Sequence, residues 1–205
     1  MKRATGLLLA LSLSLAACSR HEEPAQRCPP ADAGTPIDPV LLAFLSRARA
    51  AHHVADNQES SGDLAAAVQP LQALVAGPLP RTSAADLAPE VREVLADTRA
   101  RLADLRSRQG AFEVALRDAR AGLEMARDPN YFRGHLLETE GLVEERHAKA
   151  LDTTDPAAAV ATRKRAIGLL EQAMTVQSGV IEAAPAASVS TGTPAASAIP
   201  ATPPP

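Results

Sequence analysis

Aromatic side chains are the scarcest large residues in this 205-residue chain, which has no tryptophan, one tyrosine and three phenylalanines. A core without rings must be filled by leucine, valine and alanine, and such a core suits close-packed helices better than sheets. Lysine is nearly missing too, so positive charge is almost all arginine, dispersed among acids, with a formal net charge of −3. A nucleic-acid partner needs a clustered basic face, and none is expected here. No segment alternates apolar and polar residues with period two, so none reads as a strand. The apolar run from Gly6 to Leu15 is about half the length of a membrane-spanning helix. The Gly-x-Ser-x-Gly elbow, the phosphate loop, His-Glu-x-x-His and Cys-x-x-Cys are all missing. No motif nominates a nucleophile among Ser46, Ser60, Ser61, Ser83 and Ser107. The chain therefore reads as non-enzymatic, with no cofactor.

What is present begins at the amino terminus. Lys2 and Arg3, the apolar run and the small pair Ala16-Ala17 make a secretory signal. Leu15-Ala16-Ala17-Cys18 resembles the lipobox of bacterial lipoproteins. The resemblance implies cleavage before Cys18, a diacylglyceryl group on its sulfur and an acyl group on the new terminus. Residues 1–17 are then the signal peptide. An ordinary cleaved signal is the alternative, since Ala16-Ala17 also suits a non-lipid peptidase. Ser19 in place of an aspartate implies the outer membrane, facing the periplasm. At about 0.8 kcal/mol per buried methylene, one acyl chain holds a protein marginally, whereas two or more anchor it stably. A lipid on Cys18 leaves Cys28 without an intramolecular partner. It is then either an intermolecular disulfide or a tolerated thiol in a linker.

Residues 18–37 carry Pro24, Pro29, Pro30 and Pro36 without apolar periodicity, and read as a tether spanning roughly 25 Å. Residues 183–205 are mostly alanine, proline, serine and threonine, with no charged side chain, and are expected to be disordered. Between them, residues 38–182 read as helical throughout. Asp38-Pro39 caps a first helix with the stripe Leu41, Leu42, Phe44, Leu45, Ala48, Ala51 and Ala55. A second carries Leu64, Ala67, Val68, Leu71, Leu74 and Val75, and ends at Gly77-Pro78 and Pro80. A third restarts at Pro89, after a capping signal at Ser83, with Val91, Leu95, Thr98, Leu102 and Leu105. A fourth follows Gln109-Gly110 with Phe112, Ala115, Leu116, Ala119 and Leu123, and a fifth runs from Tyr131 to Ala150. Thr153-Thr154-Asp155-Pro156 starts a sixth, whose apolar stripe is Val160, Ile167, Leu170, Met174 and Ile181.

The first two hairpins share a pattern. Gly62 leads to Ala67 and Val68 as Gly110 leads to Ala115 and Leu116, and Pro80 and Pro129 follow each second helix. This resembles the tetratricopeptide repeat, in which the small residue lets two helices approach closely. In the second hairpin Leu102-Ala103 occupies the repeat's Leu-Gly position, but Arg99 and Arg106 stand where large aromatics are usual. Gly141 is a candidate first-helix glycine of the third hairpin. The expectation is an all-α fold of three antiparallel hairpins stacked as a short array; the alternative is a closed helical bundle.

The repeat resemblance implies that the first helix of each hairpin lines a groove. On this chain the groove set is Arg49, His52 and Asp56, then Asp97 and Asp104, then His135, Glu138 and Glu145. An acid-leaning surface of this kind fits a basic or polar peptide. The expected function is a lipid-anchored interaction or assembly platform in the cell envelope, with the membrane bound through Cys18. A metal-binding or catalytic bundle is a second class, using His53, Asp56, Glu144 and His147, where Glu144-x-x-His147 has the spacing of bundle di-iron ligands. The plainer reading of Glu138, Glu140, Glu144 and Glu145 is a solvated acidic face. His52 and His53 point about 100° apart on a helix, which puts His52 beside the core and His53 in solvent. A passive envelope protein without a groove partner is the third possibility.

Overall fold

The computed structural model describes residues 38–81 and 86–184. Cys18, Cys28, the signal, the tether, Ser83 and the tail from residue 185 lie outside the described residues. Six helices follow in order: α1 Pro39–Ser60, α2 Leu64–Ala76, α3 Pro89–Arg108, α4 Phe112–Met125, α5 Tyr131–Leu151 and α6 Pro156–Ala183. Among the described residues there is no strand, only one antiparallel bridge between Arg81 and Leu87.

The helix starts follow from local chemistry. The Asp38, Asp63, Asn130 and Asp155 side chains accept from the otherwise unpaired amides of Val40, Ala66, Arg133 and Ala158. Pro39, Pro89 and Pro156 open their helices where a missing N–H costs nothing. Gly62 and Gly110 close the first two hairpins at φ +84° and +79°, a left-handed conformation that residues with a Cβ avoid. A Gly110→Ala substitution is expected to lower stability by about 1 kcal/mol, and chemical denaturation checks it. The added Cβ meets nothing within 4 Å, so the loss comes from the backbone alone.

The hairpins α1–α2, α3–α4 and α5–α6 stack in sequence. α3 touches both helices of the first hairpin, and α5 touches both helices of the second. Neither α1 nor α2 touches α5 or α6, and α6 touches α5 alone. The stack is therefore open, and a closed bundle is excluded. Its central member, α3, is packed on two sides with different residues. Val91, Leu95, Leu102 and Leu105 fill the seam toward the first hairpin, with Phe44, Val68, Leu71 and Leu74. Ala96, Ala100 and Ala103 fill the seam toward α4 and α5, with Ala115, Leu116, Ala119, Leu136 and Val143.

The third hairpin closes on small residues. Gly134, Gly141 and Ala148 recur every seven residues on α5, and Ala159, Ala166 and Ala173 do so on α6; all are buried. A Cβ on Gly141 would lie 3.3 Å from the Ala166 carbonyl oxygen, and one on Gly134 would lie 3.8 Å from that of Ala173. Leu170 and Gln177 come nearer still, each 2.9 Å from those Cβ positions, so the glycines admit these two side chains as well as the alanine backbone of α6. This overturns the expected core stripe of α6 except at Leu170, which is partly buried against Gly141. Val160, Ile167, Met174 and Ile181 are exposed; the first three each follow a ladder alanine by one residue, or about 100° of turn, and Ile181 continues their row. Leu42, assigned to the α1 core stripe, is also exposed. The remaining stripe residues of α1 to α4 are buried or partly buried, and Thr98 is fully buried with its neighbours.

Candidate groove across three helices

Because α3 touches both α1 and α5 while these do not touch each other, α3 forms a floor between two walls. A cavity of about 320 Å³ opens there. His52 and Asp56 line it from α1, Asp97, Arg101 and Asp104 from α3, and His135 and Glu138 from α5. Six of the eight groove positions expected from the sequence thus surround one space. Arg49 sits in an adjoining hollow of about 400 Å³ that shares His52 and Asp97 with the first and is otherwise edged by Leu45, Ala48, Val94 and Phe132 and by Glu90 and Glu93. Glu145 is exposed and does not line the cavity, a correction to the expected set. Ala100, Thr139 and Leu142 complete the lining. They and Arg101 were missed because the expected set took only part of each helix face; Arg101 lies four residues after Asp97 and three before Asp104, spacings that share a face.

The polar groups are tied to one another in a graded way. The Thr98 hydroxyl donates to the Val94 carbonyl at 2.7 Å, so its oxygen accepts from Nε2 of His52 at 3.0 Å. That turns Nδ1 of His52 toward Asp97, 3.9 Å away. Arg101 bridges Asp56, at 2.9 Å, and Glu59. Asp104 takes Arg146 at 2.8 Å and Arg108 at 3.4 Å. Glu59 also bonds Arg108, and that hydrogen bond holds the Arg108 pKa above its ordinary value. Glu138 accepts from the Gln177 amide at 3.1 Å. Four carboxylates therefore meet one guanidinium around the cavity, and among the described residues Asp97 and Glu138 are the two that no arginine neutralises. The space is negative and has a partly apolar annex.

The metal-site residues are distributed differently. His53 is exposed, and Nδ2 of Asn57 lies 3.4 Å from its Nε2. Glu144 is buried and receives Arg165 through Nε at 3.1 Å and Nη2 at 3.3 Å. His147 stacks on Phe112 with ring centroids 4.7 Å apart. Among the described residues, no three His, Cys, Asp or Glu side chains gather as metal ligands. The acidic run of α5 is not one solvated face either. Glu140 and Glu144 are buried, with Arg120 on the former at 3.0 Å; helical turning carries these two toward α4 and α6.

Arg99 and Arg106 both reach Asp118 on α4. An ion-paired triad thus joins the two helices of the second hairpin. Comparison with protein-family models, characterised proteins and solved structures finds no match for this chain.

Proposed function

We propose that this protein is a lipid-anchored platform of the bacterial envelope, held to the outer membrane through Cys18 and facing the periplasm. Its helical stack holds a peptide segment of a protein partner. The observation that carries this reading is the cavity across α1, α3 and α5, whose carboxylates outnumber its one guanidinium. Asp97 and Glu138 would receive lysine or arginine side chains of the peptide. The annex beside Val94 and Phe132 would take an apolar residue next to them. A groove of fixed side chains on packed helices holds a peptide at low ordering cost, and no reaction is assigned to it.

In-cell photo-crosslinking tests the reading on the full chain. A photoreactive residue at His135, which is partly exposed in the cavity, should yield one reproducible adduct from membranes. Asp97→Lys with Glu138→Lys should reduce its yield about tenfold, since reversing two charges acts on affinity by at least 1.4 kcal/mol. Cys18→Ser should move the protein out of the membrane fraction without unfolding the helical body. An adduct pattern that ignores the charge reversal rejects the groove, and retention of Cys18→Ser in membranes rejects the anchor.

A further inference from the structure

The outer face of α6 stands apart from every other surface of the stack. A terminal repeat ordinarily needs a polar outer face, yet Val160, Ile167, Met174 and Ile181 are 66%, 53%, 66% and 74% exposed. They recur every seven residues along one side of a 28-residue helix, about 42 Å long. The exposed apolar residues of α1, Val40, Leu42 and Val54, have no such repeat. Apolar residues seven apart share one side of a helix, as one of the two seam positions of a coiled coil does.

We propose that α6 is a homodimer interface, on which a second copy of this chain docks its own α6 antiparallel about a two-fold axis between Ile167 and Gly168. In that register Ile167 packs beside the partner's Ile167, and Val160 beside the partner's Met174 on both sides of the axis, each pair displaced by one residue, about 1.5 Å along the helix. The charges select the occupant. Lys164 and Glu171 flank the stripe on the same side and are exposed. They are about 10.5 Å apart along the helix, too far to pair within one chain. Their neighbours are already engaged, Arg163 by Asp152 and Arg165 by Glu144. Among the described residues neither Lys164 nor Glu171 has an ion-pair partner. The two-fold sets Lys164 opposite the partner's Glu171 and repeats the pair on the other side. A two-fold interface must be complementary to itself, and this stripe is. Three apolar layers and two ion pairs bury on the order of 1,000 Å², near the lower end of specific interfaces, so the dimer should be reversible and favoured by confinement on a membrane.

Oxidative crosslinking of the full chain in membranes tests this, in a Cys28→Ser background. Ile167→Cys, beside the axis, should give a disulfide-linked dimer, whereas Ser46→Cys on exposed α1 should not. Lys164→Glu sets like charges opposite each other and should reduce the dimer yield about fivefold, as should Glu171→Lys; together they should restore it. Ile167 is half exposed, so its substitution leaves the fold in place, and unchanged helicity verifies that. Equal crosslinking from Ile167→Cys and Ser46→Cys overturns the proposal, as does a double charge swap that fails to restore the yield. Dimer that forms only after residues 185–205 are deleted would assign the face to the chain's own tail and overturn it as well.

Discussion

Asp118→Ala is expected to destabilise the protein by about 3 kcal/mol, a large part of the 5–15 kcal/mol that holds an ordinary domain together. The Asp118 side chain is 3% exposed and receives Arg99 at 2.5 Å and Arg106 on its other oxygen. Removing it leaves two guanidinium groups facing each other across a buried gap. Arg106 keeps a hydrogen bond to Gln72 at 2.7 Å, and Arg99 reaches partly into water, which holds the loss below the upper range for broken buried pairs. Thermal and urea denaturation measure it. A triple variant, Asp118→Leu with Arg99→Met and Arg106→Leu, should recover most of the stability, because apolar replacement of a buried triad is often neutral or better. A loss under about 0.5 kcal/mol in the single variant would show that the triad contributes little.

Gly141→Leu should detach α6. Its Cβ alone would lie 2.9 Å from Cγ of Leu170 and 3.3 Å from the Ala166 carbonyl oxygen. Leu170 can turn aside, but the backbone of a packed helix cannot, and overpacking of this kind costs about 1–3 kcal/mol or more. Because α6 rests on α5 alone, the damage should be local. Hydrogen exchange followed by mass spectrometry should show protection lost across Pro156–Ala183 and retained in α1 to α4. Gly141→Ala should give a weaker version of the same pattern. Uniform loss across all six helices would mean that the stack unfolds as one unit.

The legible and the hidden parts of this fold divide by side-chain size. Val91, Leu95, Leu102 and Leu105 announced one side of α3, because large apolar residues at helical spacing mark a buried face. Ala96, Ala100 and Ala103 formed its second packed side, of which only Ala103 was marked, by the repeat resemblance, since alanine occurs on either side of a helix. The same ambiguity inverted α6. Its large stripe and its small ladder both repeat every seven residues, and a hydrophobicity pattern favours the larger residues. Which stripe is buried was decided on α5, where Gly134 and Gly141 let α6 come close, with Gln177 and Leu170 laid against the glycines beside the alanine ladder. The groove was more legible because it needed only the order of the hairpins: first helices lie next to first helices, so polar residues on α1, α3 and α5 converge. The clamp on Asp118 was not legible, for a charged residue inside a helix gives no sign of which partners reach it.

One consequence follows from the two walls of the groove never meeting. α1 and α5 are joined only through α3, like two shelves bolted to one post, and the first and third hairpins can each tilt without straining the other. Anything spanning the cleft would brace them against each other and add the one tie the stack lacks. Occupancy would then raise resistance to unfolding along the whole row of helices, by an amount set by ligand concentration over its dissociation constant.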